Sequence, residues 1–137
     1  MSKFENGKII LENGEVIHPT KKQEWFEQIL EYKDSIFVET RNNVYKINIK
    51  TKEQLDLDMS GLKNAYVNDR FIYTLHEEGC GSDAYVKVDH ITGKEILYSR
   101  DFYRYKNQLF MIHPECIYVL NLDSPNIQES KYLLESL

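Results

Sequence analysis

Residues 85–98 read Tyr-Val-Lys-Val-Asp-His-Ile-Thr-Gly-Lys-Glu-Ile-Leu-Tyr, YVKVDHITGKEILY. Tyr85, Lys87 and Asp89 alternate with Val86 and Val88, the period of a strand with one face buried. Thr92-Gly93 marks a turn, because glycine accepts positive φ without a steric penalty. Lys94 to Tyr98 then returns as a second strand, with Ile96 and Tyr98 on one face. The carboxylate of Asp89, just before the turn, is placed to accept backbone amides and fix it. The stretch is therefore a hairpin, and its neighbours show whether it stands alone.

They repeat it. Residues 44–57, VYKINIKTKEQLDL, give the same order of strand, Asx, Thr-containing turn, Glu and strand. Ile36 to Thr40 precedes them as a strand, with Arg41-Asn42-Asn43 as its turn. A third copy covers 108–134, where Leu109 to Ile112 is expected to pair with Cys116 to Leu120 before a turn at Asn121 to Asn126. A weaker copy spans Lys8 to Pro19 around Asn13-Gly14, a tight hairpin signal. Strands headed by Ile9, Ile36, Phe71 and Leu109 recur at spacings of 27, 35 and 38 residues. Periods in this range belong to stacked or radial repeats.

The order strand, Asp, x-x-Thr-Gly-Lys-Glu, strand resembles the blade motif of β-propellers of the quinoprotein-like and WD-repeat-like kind. The resemblance is best over 69–98 and looser over 34–134. It implies an all-β or mostly β fold, an antiparallel meander of hairpins with propeller-like blades. A blade takes roughly 40 residues and a ring at least about four blades, so 137 residues do not hold a closed ring of ordinary blades. A compact meander, a partial propeller and closure as a homo-oligomer remain open. The segment 21–32, KKQEWFEQILEY, fits two readings. Trp25, Ile29 and Tyr32 have helical spacing, with Thr20 as a cap. A blade-edge strand fits as well.

Composition narrows the function. The chain is of a length that suits one domain, 1–137, and 42% hydrophobic residues suffice for a core. No apolar run approaches the roughly 18 residues of a membrane span. Two cysteines, Cys80 and Cys116, are too few for a disulfide scaffold, and a cytoplasmic location with reduced thiols is expected. A net charge of −5 and a pI near 5.4 argue against a nucleic-acid binder and admit a basic protein partner.

Catalytic motifs are missing: no phosphate loop, GxSxG, HExxH or Rossmann fingerprint occurs. His76 with Cys80 and His113 with Cys116 follow equivalent strands and form the only zinc-like set. Repeats put similar residues in similar places without a ligand, and the tighter C-x-x-C spacing of such zinc sites is missing, so neither metal nor cofactor is expected. The acidic flanks of Cys80 oppose thiolate formation. Two surface candidates remain. The stretch His76 to Asp83 reads as a long acidic loop, whose Glu77, Glu78 and Asp83 have no lysine or arginine near them in sequence. The stretch Tyr98 to Lys106 interleaves aromatic and basic residues, with Phe102, Tyr103 and Tyr105 as interface anchors. The expectation is a non-catalytic protein-binding domain, specifically a small acidic bacterial immunity or inhibitor protein that neutralises a basic toxin or nuclease. The competing expectation is a ligand-binding or enzymatic module using the centre of the meander.

Overall fold

The structure, a computed structural model, describes residues 3–5, 7–18, 26–41, 43–79, 81–123 and 127–134. Every regular element among them is a β-strand, and every strand pairing is antiparallel between neighbours in sequence. The chain divides into two compact units, Met1–Leu62 and Lys63–Leu137.

The first unit holds two sheets. β1 (Lys3–Glu5), β2 (Lys8–Ile10) and β3 (Val16–Ile17) form a three-stranded meander. β4 (Phe26–Tyr32), β5 (Ser35–Thr40), β6 (Val44–Asn48) and β7 (Gln54–Leu57) form a four-stranded one. Their facing side chains make one core of Ile9, Leu11, Ile17, Ile36, Val38, Tyr45 and Ile47. Residues 26–32 are thus a strand, which decides between the two readings of that stretch. The β-branched and aromatic residues of β5, fully buried at Ile36 and Val38, supply the pairing edge that a helix would leave empty. Residues 21–25, with Trp25, lie outside the described residues, as does Thr20.

The second unit repeats the four-stranded plan twice. β8 (Tyr66–Val67), β9 (Phe71–Glu78), β10 (Ser82–Asp89) and β11 (Glu95–Ser99) form one sheet. β12 (Phe102–Tyr105), β13 (Gln108–His113), β14 (Cys116–Asn121) and β15 (Gln128–Leu133) form the other. Tyr73, Tyr85, Leu97, Leu109, Met111, Leu120 and Ile127 make their shared core.

The repeat holds at the level of single hydrogen bonds. Asp89 Oδ1 accepts the amides of Ile91 (2.9 Å) and Thr92 (3.3 Å), and Gly93 donates to the Asp89 carbonyl at 2.7 Å. Asn48 Oδ1 accepts Lys50 (2.9 Å) and Thr51 (3.0 Å), and Lys52 donates to the Asn48 carbonyl at 2.8 Å. Gly93 and Lys52 both turn through positive φ, 85° and 66°. The residue after each Asx then ties back to the carbonyl just before the second strand of its sheet. Ile49 donates to Asp34, His90 to Arg70 and Leu122 to Asn107, at 2.8, 2.9 and 2.8 Å. Three four-stranded meanders with one shared turn chemistry are blade-like repeats.

One reading of the opening stretch is corrected, and the shared face of Ile96 and Tyr98 is the exposed one. β10 is buried from Ala84 to Asp89 without alternation, so side chains on both faces of this strand are covered. In β11, Leu97 and Ser99 are buried, while Ile96 and Tyr98 share the opposite face and stand 50% and 37% exposed.

Candidate functional site

The acidic segment is not a long loop. β9 runs to Glu78 and β10 starts at Ser82, so only residues 79–81 separate two paired strands. Glu77 and Asp83 are direct cross-strand partners, an arrangement in which like charges repel. Lys63 relieves it by forming an ion pair with Glu77. A cation that sequence distance hid therefore does sit beside this hairpin. Glu78 is on β9, though its side chain lies outside the described residues, and Cys80 lies outside them altogether.

Strand alternation splits the aromatic segment. Phe102 and Arg104 point to the core side of their sheet, while Tyr103 and Tyr105 point to the other side. The pairings Tyr103↔Phe110↔Val119 and Ile112↔Ile117↔Tyr132 place all of these side chains on that second face. Gln108, Asn121, Gln128 and Ser130 complete its register, so its strand positions carry no charged residue. Tyr103, Tyr105 and Tyr132 are 62%, 54% and 59% exposed. Tyr103, Tyr105, Phe110, Ile112 and Ile117 line a shallow apolar depression of about 380 Å³. Alternation in Tyr103-Arg104-Tyr105 was the available sequence signal. Phe110, Ile112, Ile117 and Tyr132 could be added only once the register was known.

Phe102 joins a different neighbourhood. With Asp83, Tyr66, Tyr85 and Arg104 it lines a cleft of about 320 Å³ within the second unit. The structure thus brings together Asp83 and Phe102, which were separate candidates in sequence. Burial, followed by the nearby Tyr66, pushes the Tyr85 phenol up to about 12 against the pull of Arg104. It is a neutral donor at any ordinary pH.

Of the two histidine and cysteine pairs, the first is incomplete here, because Cys80 lies outside the described residues. His113 and Cys116 are cross-strand neighbours in the β13–β14 hairpin, and His113 Nδ1 accepts the Glu115 amide at 3.1 Å. His76 lies beside Tyr98, with 5.8 Å between ring centres and the planes tilted by 60°. Among the described residues, no group of three His, Cys, Asp or Glu side chains converges as metal ligands. No helix among them is long and apolar enough to cross a membrane.

Sequence reasoning missed one charged group altogether. Lys87 looks like a solvated strand residue, yet it is only 3% exposed. Its Nζ bonds both carboxylate oxygens of Glu129, at 2.7 and 2.9 Å. It also lies 4.0 Å from the ring centre of Phe71 and 4.2 Å from that of Tyr118. The cage satisfies the ammonium internally and binds β10 to β15.

The fold and these faces define an all-β chain of blade-like meanders with one open aromatic face. No protein-family model matches the sequence, and no curated protein matches it. Among solved structures, the chain is similar to the N-terminal domain of Nup159, at 14% identity and a TM-score of 0.47. The match covers 98% of this chain and 41% of that one. A likeness at that level decides neither fold nor function.

Proposed function

We propose that the chain is a non-catalytic protein-binding domain that docks a basic protein through the aromatic face of β12–β15. The observation that carries the reading is the open face itself. A run of tyrosine, phenylalanine and isoleucine with no charged strand position has the composition of an interface centre, where aromatic residues are enriched and charges depleted. Contiguous apolar surface of this kind is uncommon on a monomer without a partner.

The partner's chemistry follows from the rest of the molecule. A net charge of −5 attracts a basic protein at long range, while the uncharged face supplies contact area. The specific form of the proposal is a small acidic bacterial inhibitor of immunity type that masks a basic toxin or nuclease in the cytoplasm. Of the residues expected to bind, Tyr103 and Tyr105 supply burial on the face. Glu77, Glu78 and Asp83 belong to the attracting charge.

The test is affinity capture from the native cell with the wild-type chain and with Tyr103→Ser/Ile112→Ser. Circular dichroism checks that both fold, and light scattering gives the mass of the free chain. The reading expects a monomer and a stoichiometric basic protein that the double variant loses. A partner retained by the variant, or a wild-type dimer that the variant breaks, would overturn it.

A further inference from the structure

The cleft lined by Asp83 and Arg104 is built from two short alternations. Asp83 and Tyr85 share one face of β10, and Phe102 and Arg104 share one face of β12. Tyr85 and Phe102 meet edge to face, 5.1 Å between ring centres and 72° between planes, and form an aromatic floor. Leu75 and the buried Leu109 extend it, and Tyr85 Oη donates to the Asn64 carbonyl at 3.4 Å. The volume, about 320 Å³, lies at the lower end of the range for ligand pockets.

Arg104 is held in place without a counter-ion. Its Nε donates to the Lys106 carbonyl at 3.3 Å, and its Nη1 donates to Tyr66 Oη at 2.7 Å. The guanidinium keeps further N–H donors, and the Tyr66 hydroxyl, having accepted, keeps its own hydrogen to give. Among the described residues, no carboxylate pairs with Arg104 and no cation pairs with Asp83. Both charges line the same cleft, yet they do not meet each other.

Register sets their separation. Tyr66, the partner of Arg104, is level with Tyr73 on β9, Tyr85 with Leu75, and Asp83 with Glu77. The two ends are therefore about four residues of strand apart, roughly 13 Å of backbone. One carbon separates the ammonium and carboxylate of a free α-amino acid, too short a span to reach both. A carboxylate at Arg104 and a cation at Asp83 need an extended molecule with an apolar middle for the Tyr85–Phe102 floor.

The geometry points to a binding site for a short extended peptide end, with its C-terminal carboxylate on Arg104 and Tyr66. An aromatic side chain rests on the Tyr85–Phe102 floor, and a lysine or arginine two residues upstream reaches Asp83. The site is separate from the open aromatic face, so the two proposals fail independently. A guanidinium fixed by two bonds suits a planar carboxylate.

The probe is acetyl-Lys-Gly-Phe as the free acid, titrated into the full chain and followed by backbone amide chemical shifts. Its C-terminal amide and acetyl-Gln-Gly-Phe are the comparison ligands. Shifts should centre on Tyr66, Asp83, Tyr85, Phe102 and Arg104. The amide should bind about tenfold more weakly, as for loss of one charge-assisted contact. Arg104→Gln should make acid and amide equivalent, and Asp83→Asn should erase the preference for lysine over glutamine. Both variants keep a polar side chain of similar shape, and their spectra show whether the fold is intact. Equal binding of acid and amide, acid preference without lysine preference, or no shift up to about 10 mM peptide would each overturn the site.

Discussion

Removing one half of the Lys87–Glu129 pair should be the most damaging single change in the second unit. The Lys87 side chain is 4% exposed and that of Glu129 14%, so neither ion recovers much hydration when its partner goes. Lys87→Met leaves a nearly buried carboxylate without a cation, a loss of about 3–5 kcal/mol. Glu129→Leu should cost less, about 2–3 kcal/mol. Phe71 and Tyr118, 4.0 and 4.2 Å from the ammonium, still hold it, and a desolvated cation–π contact contributes roughly 1–2 kcal/mol. The double variant Lys87→Met/Glu129→Leu should lie within about 1 kcal/mol of wild type, because two buried charges leave together. The coupling energy should then be about 3 kcal/mol or more. Urea unfolding followed by far-UV circular dichroism, with each variant extrapolated linearly, measures all four corners of the cycle. Single variants that each cost under about 0.5 kcal/mol, with no coupling, would show a solvated pair and refute the reasoning.

Three further outcomes follow from the turns and buried carboxylates. Burial raises the Asp89 carboxyl, but the Ile91 and Thr92 amides and Arg70 outweigh it and hold it below its usual range. Its contribution should be present above the unfolded pKa and lost as pH falls through the folded one; Asp89→Asn should abolish that acid component in urea midpoints, yet keep the turn, as Asn48 does. Glu39 is raised by burial and by Glu27, so its stability contribution is greatest below the unfolded pKa and is lost as pH rises through the folded one. Glu39→Gln should therefore raise the urea midpoint at pH 7 more than at pH 4, and a fall at both would contradict this. Gly93→Ala, at φ 85°, should cost about 1–2 kcal/mol by thermal unfolding, with an unchanged midpoint as the contrary result.

Those parts of the fold that depend on neighbours in sequence were legible. The Asx-Thr-Gly turn of residues 89–93 and its relative at 48–52 rest on bonds within five residues, and the sequence shows them as a repeat. What depends on the covering of a sheet was not legible. Lys87 alternates with valines as a solvated residue would, and only Glu129, 42 residues away, reveals that it is buried. Residues 76–83 looked like a loop because they hold Gly79 and Gly81, although the strands on either side pair up to Glu78 and Ser82. Phe102, Tyr103 and Tyr105 formed one patch in sequence, and the pleat sends the first to one side and the others to the opposite side. The lysine at 63 that pairs with Glu77 lies 14 residues from it, beyond the reach of any local charge count.

The central claim is that burial on the aromatic face, rather than charge at the acidic hairpin, holds the partner. The direct measurement is the kinetics of the captured basic protein binding to wild type, Tyr103→Ala/Tyr105→Ala and Glu77→Lys, at low and high salt. The tyrosine variant should dissociate about 100-fold faster or more at both salts, as truncation of aromatic anchors does. Glu77→Lys should change only the association rate, by a factor that salt removes. A tyrosine variant with wild-type dissociation, beside a Glu77→Lys variant that no longer binds, would contradict the account.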